Sequence, residues 1–89
     1  MKYVYKYDVS IEDHFELELP LDARILSVQM QRGTLKLWAL VDPTMPLETR
    51  KFRTAGTGHP IDEVMGEHIS TFQVDGGNFI FHVFEVGRE

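Results

Sequence analysis

The chain has no cysteine. That excludes a disulfide framework, a thiolate metal site and a cysteine nucleophile, and it fits a reducing compartment. Long apolar runs are missing too. Residues Met1 to Val9 alternate instead of joining a charged start to a continuous apolar stretch, so neither a signal peptide nor a membrane span is read there. These absences predict a soluble, cytoplasmic protein with no membrane partner. Positive charge is scarce, with 9 basic against 14 acidic residues and a net charge of −5. Binding to a phosphate backbone depends on lysines and arginines that neutralise it, so nucleic acid is not an expected partner. No stretch has the periodicity of a long amphipathic helix. No Gly-x-Ser-x-Gly, Walker loop or closely spaced histidine pair occurs, and no metal or other cofactor is expected.

What the chain does have is alternation. Its 89 residues make one domain. A domain this size buries roughly 60–65% of its unfolded surface, a narrow margin that association often widens. The stretch Thr34-Leu35-Lys36-Leu37-Trp38-Ala39-Leu40-Val41-Asp42 is the longest strongly apolar run and carries the single tryptophan. Arg32-Gly33 and Asp42-Pro43 bound it. It reads as a buried strand with two largely apolar faces, in the middle of a sheet or under a partner.

Other strands are read around it. Lys2 to Val9 places Tyr3, Tyr5, Tyr7 and Val9 on one face, expected to be buried. His14 to Leu19 points Phe15, Leu17 and Leu19 inward, and Pro20 ends it. Arg24 to Gln31 sets Leu26, Val28 and Met30 against Ser27, Gln29 and Gln31. Gln31-Arg32-Gly33-Thr34 forms a tight hairpin. Asp42 to Leu47 is an irregular loop in which Asp42 forms a turn beside Pro43. Glu48 to Thr54 sets Arg50, Phe52 and Thr54 against Thr49, Lys51 and Arg53. Ile61 to Met65 has room for one helical turn at most. Glu67 to Val74 and Phe79 to Val86 flank Asp75-Gly76-Gly77-Asn78, the strongest turn signal in the chain. About seven short strands without a long helix predict an all-β fold, a small antiparallel sandwich or barrel.

The best candidate site is the glycine loop. Gly56, Thr57, Gly58 and His59 precede Pro60, and two glycines let backbone N–H groups converge on an anion. Arg50, Lys51 and Arg53 lie just upstream, the densest positive charge in the sequence. His59 supplies a donor or an acid–base group, and Thr57 a hydroxyl. The same glycines also serve a simple turn. His68 and His82 lie on either side of the last turn and are expected to face each other across the final hairpin, a structural pairing. Ser10, Ser27 and Ser70 have no evident partner. Tyr3, Tyr5 and Tyr7 are core residues first, and any exposed remainder of their face, with Trp38, is the candidate subunit interface.

Several segments together resemble a known family. They are Ile25-Leu26-Ser27-Val28-Gln29, Leu37-Trp38-Ala39-Leu40-Val41-Asp42-Pro43 and Gly56-Thr57-Gly58-His59-Pro60, with Thr71-Phe72-Gln73 and His82-Val83-Phe84-Glu85. The family is one of very small bacteriophage and prophage proteins, a domain of unknown function. The resemblance brings no reaction, cofactor or catalytic residue with it. It implies an accessory protein made in the infected bacterial cytoplasm. The expectation is a non-enzymatic binding module, acting as a homo-oligomer, that inhibits a host bacterial protein or sequesters a small anionic, phosphate-bearing ligand. The alternatives are an assembly protein of the phage particle and a small hydrolase using His59.

Overall fold

A computed structural model describes residues 1–61 and 65–86. Seven strands follow in chain order: β1 (Tyr3–Asp8), β2 (His14–Pro20), β3 (Arg24–Gln31), β4 (Thr34–Val41), β5 (Leu47–Gly56), β6 (Met65–Val74) and β7 (Phe79–Val86). They form two antiparallel sheets. Sheet A has the order β1-β4-β3, and sheet B has the order β2-β5-β7-β6. The fold is therefore all-β, as the alternation predicts, and of the two forms left open, sandwich or barrel, the two sheets make it a sandwich. The one helical element among the described residues is a single 3-10 turn, Asp75–Gly77, between β6 and β7. The helical turn expected at Ile61 to Met65 falls mainly on 62–64, outside the described residues. Among the described residues, no helix is long and apolar enough to cross a membrane.

β4 is the centre of sheet A, as its two apolar faces require. Leu35, Leu37, Ala39 and Val41 are buried on its inner face. Sheet B faces them with Phe15 and Leu19 of β2, Phe52 of β5, Phe72 of β6 and Val83 of β7. Phe15 and Phe52 stack across the β2–β5 pair with ring centroids 4.8 Å apart. At one side the sheets are sewn together where β3 packs against β6. Ser70 Oγ donates to Val28 O at 2.8 Å and accepts from Gln29 Nε2 at 2.9 Å. Ser70 thus has partners that only the pairing of distant strands supplies. The β3–β4 hairpin turns through Arg32 and Gly33 with φ of 51° and 80°, the left-handed geometry that a two-residue hairpin loop demands. Asp42 closes the β4–β5 loop by accepting from the Thr44 N–H at 3.0 Å.

Two expectations about faces are corrected. In β3 a register shift lies between Ile25 and Ser27. A bulge inserts one residue and reverses the alternation on its far side. Ile25 therefore pairs with Ala39 and packs on the core, while Leu26 is left exposed and Val28 and Met30 keep the inner face. In β1 the tyrosines do share the inner face, since Tyr3, Tyr5 and Tyr7 pair with Val41, Ala39 and Leu37. Burial nonetheless fails along the strand. Val9 is buried and Tyr7 half-buried, but Tyr5 and Tyr3 are 41% and 47% exposed. β1 is an edge strand, and an edge strand's inner face is covered only as far as the opposite sheet reaches.

One charged pair lies inside the sandwich. Arg50, 3% exposed, meets Glu85, 8% exposed, through Nε to Oε2 at 2.5 Å and Nη2 to Oε1 at 2.9 Å. Its Nη1 donates to Ala23 O at 2.7 Å. Fork-to-fork geometry and a third acceptor offset the desolvation of both charges. The Glu85 hydrogen bond holds the guanidinium pKa above its ordinary value against the opposing effect of burial. Removing one partner strands the other in a low-dielectric interior. Glu85→Leu should therefore destabilise the fold by about 3–5 kcal/mol, and adding Arg50→Met should recover most of the loss. Urea denaturation of the single and double variants measures both.

On the outer face of sheet A, Lys36 forms an ion pair with Asp8 across the β1–β4 pair. This hydrogen bond, reinforced by the charges of Lys36 and Lys6, holds the Asp8 carboxyl below the usual aspartate range. A carboxylate whose folded pKa is depressed adds stability above its unfolded pKa and loses it as pH falls through the folded one. Carbon-detected NMR titration should place Asp8 at a lower midpoint in the parent than in Lys36→Met.

Candidate functional site

Sheet pairing sorts the predicted site residues by face. Arg50 points into the sandwich and is engaged by Glu85, so it does not join the glycine loop. A cleft of about 530 Å³ opens beside that pair, with Asp22, Arg24 and Glu67 along its walls. Lys51 and Arg53 lie on the opposite, outer face of sheet B, where they pair with Glu16 and His14 of β2. Arg53 also donates from Nη1 to the carbonyls of Asp13 at 3.2 Å and Thr54 at 2.5 Å. Its guanidinium is thereby fixed against the β1–β2 connection rather than left to swing.

The glycine loop follows directly from β5. His59 N–H donates to Gly56 O at 3.1 Å, closing a turn in which Gly58 has φ of 84°. The His59 ring lies over Gly56. A methyl group there would meet Nδ1 at 2.8 Å and Cε1 at 2.9 Å, so a glycine is what lets the imidazole fold back on its own loop. The last hairpin turn lies alongside. Gly56, Thr57 and His59 share a cleft of about 230 Å³ with Gly77 and Asn78, floored by Phe79, Ile80 and Phe81.

Thr57 ties the loop to the strands. Its N–H donates to Ile80 O at 3.1 Å, continuing the β5–β7 ladder by one residue. Its hydroxyl lies 2.8 Å from His82 Nε2. His82 Nδ1 is 2.9 Å from Thr71 Oγ1, and Thr71 Oγ1 is 3.0 Å from His68 Nε2. Four side chains from three segments thus form a continuous hydroxyl–imidazole row, Thr57–His82–Thr71–His68. The Thr57 hydroxyl also lies 3.3 Å from Ile80 O, which can only accept. When Thr57 donates there, His82 Nε2–H donates to Thr57. His82 Nδ1 then either accepts from Thr71 or, in the imidazolium, donates to it.

Register explains why the row exists. Directly opposite residues share a face of a sheet. Arg53, Phe84 and His68 stand side by side on β5, β7 and β6, and Ala55, His82 and Thr71 stand in the next tier. Ala55 is small and leaves His82 room. Phe84 holds His68 edge-on at 5.3 Å. The two imidazoles lie 6.4 Å apart on neighbouring strands, but they do not face each other as expected: the register sets His68 opposite Phe84 and His82 opposite Thr71, so the rings stand on a diagonal. A register shift between His68 and Ser70 sends His68 outward and Ser70 inward, although the two share parity in the sequence. Thr71 and the Thr57–His82 link were missed by sequence reasoning. Thr71 sits opposite His82 across the last turn, and that spacing was the available signal. Among the described residues, no group of three histidine or carboxylate side chains is placed to hold a metal ion.

The family "Domain of unknown function (DUF7352)" matches residues 1–89, and the chain belongs to it. Neither the curated proteins nor the solved structures contain a match.

Thr71→Val removes the bridging hydroxyl while keeping its shape. The ring resonances of His68 and His82 should both move, because each loses its shared partner. Stability should fall by no more than about 1 kcal/mol, the net value of a typical hydrogen bond. Histidine-selective NMR and thermal melting check the two parts separately.

Proposed function

We propose that this member of the DUF7352 family is a non-enzymatic binding module that captures a small phosphate-bearing anion. The site is the outer face of sheet B, between the glycine loop and Arg53. The observation that carries the reading is the row of hydroxyls and imidazoles that begins on Thr57 of that loop and ends on His68 beside Phe84. It supplies donors whose direction adapts to a ligand. Arg53 and Lys51 add fixed positive charge on the same face. The net charge of −5 opposes long-range attraction of an anion, so affinity rests on short-range hydrogen bonds, with little electrostatic steering.

The sequence resemblance adds a proposed setting, a phage or prophage accessory protein in the bacterial cytoplasm. A host protein bound at the loop cleft, on the other side of β7 from His82, is the second reading. What favours it is Phe79, 56% exposed at the rim of the loop cleft. An exposed aromatic of this kind is a usual anchor of protein interfaces.

Titration with inorganic phosphate, followed by amide and imidazole NMR, tests the first reading. Saturable shifts should cluster on Thr57, Gly58 and His82. His82→Ala should weaken binding about tenfold, equal to about 1.4 kcal/mol, with the melting temperature little changed. Shifts that scatter over the surface without saturating, or equal affinity in His82→Ala, would overturn it.

A further inference from the structure

The outer edge of β1 is unpaired among the described residues, since β1 ends sheet A and its one neighbour there is β4. Its backbone says which residues serve that edge. Val9 N–H donates to Leu35 O at 3.1 Å, which extends the β1–β4 register by one pair. Bonded and non-bonded pairs alternate along an antiparallel ladder. Tyr7, Tyr5 and Tyr3 therefore direct their N–H and C=O groups to β4. Val4, Lys6 and Asp8 direct theirs to the open edge.

Edge strands are often guarded by charged side chains. Here the charges lean away. Lys6 reaches back over β4 to donate to Gln31 Oε1 at 3.0 Å, and Asp8 is held by Lys36 of β4. On the inner side, Tyr3, Tyr5 and Tyr7 form a ladder of rings with centroids 6.2 and 6.4 Å apart, exposed toward its start.

We propose that β1 pairs with β1 of a second copy of this chain, antiparallel about a twofold axis at Tyr5. Sheet A then becomes a continuous six-stranded sheet. Among twofolds at Val4, Tyr5 and Lys6, the axes near the middle of the strand, the charges favour Tyr5. The edge bonding requires even-numbered residues to face even-numbered ones. A twofold at Val4 sets Lys2 against Lys6, and one at Lys6 sets two Lys6 ammoniums against each other. Like charges directly opposite destabilise a sheet. With the axis at Tyr5, Lys2 faces Asp8, Val4 faces Lys6 and Tyr3 faces Tyr7, so opposite charges meet and no like charges do. The axis runs perpendicular to the sheet, which keeps both inner faces on one side. The tyrosines of both copies then join into one aromatic patch between the two B sheets. Tyrosine is enriched in such interfaces because it buries a large area while its hydroxyl stays wet. Trp38, on the outer face of sheet A opposite Lys6, takes no part.

Two measurements test the pairing independently of any ligand. Native mass spectrometry of the unaltered chain at micromolar concentration should show a dimer. A dimer with Tyr5 on the axis brings the two Tyr5 Cα atoms to about 4.5 Å, the non-bonded spacing, within disulfide reach. The chain has no cysteine of its own, so Tyr5→Cys should oxidise to a covalent dimer. Val4→Cys should not, since its two Cα atoms would be about 8 Å apart. A monomer throughout the concentration range would overturn the proposal and leave the edge to a foreign strand. So would a dimer that Val4→Cys or Trp38→Cys locks while Tyr5→Cys does not.

Discussion

The arrangement of both sheets turns on the ion pair between Arg50 and Glu85. Two charges are withdrawn from water there, and that is tolerable only because the fork of the guanidinium meets both carboxylate oxygens and the Ala23 carbonyl takes a third donor. Its three ends belong to β5, β7 and the connection between β2 and β3. It therefore ties the two central strands of sheet B to the point where the chain crosses toward sheet A. Around it the interior is apolar, from Leu19 and Phe52 to Leu37 and Val83. The pair also decides what the basic segment of β5 offers outside. Alternation sends Arg50 inward and Lys51 and Arg53 outward, so the densest run of positive charge divides between a structural role and an exposed face.

That exposed face owes its chemistry to one irregularity. An unbroken β6 would place His68 and Ser70 on the same side. The register shift between them separates the two, and each then finds partners the other could not reach. Ser70 turns in and bonds the Val28 carbonyl, closing the seam between the sheets. His68 turns out and meets Thr71, which hands the row on to His82 and the glycine loop. Seam and candidate site thus rest on the same inserted residue. A change that removed it would disturb packing and surface chemistry together.

The edge of sheet A shows the complementary case, in which regularity leaves something unfinished. β1 is a well-formed strand with inward tyrosines, yet the opposite sheet stops short of Tyr3 and Tyr5. A small sandwich has few ways to cover such rings. It can extend its other sheet or add strands from another molecule. An intermolecular strand covers them by using an edge that β1 already presents.

The sequence by itself determined the fold class, the strands and their turns. Those features depend on neighbours a few residues apart. Alternation marks a strand, Arg32-Gly33 admits the left-handed hairpin, and Asp75 to Asn78 reverses the chain between the last two strands. It also determined that Tyr3, Tyr5 and Tyr7 share a face and that His68 and His82 lie on the two strands of the last hairpin. Strand order, depth of burial and register shifts were decided only by the tertiary structure. Whether an inward residue is covered depends on how far the opposite sheet extends, which is why Tyr5 is exposed and Arg50 is not. Whether alternation persists depends on a bulge stabilised by partners from elsewhere in the chain. For that reason Ile25 replaces Leu26 on the core, and Thr57, remote in sequence, completes the row that His68 and His82 begin.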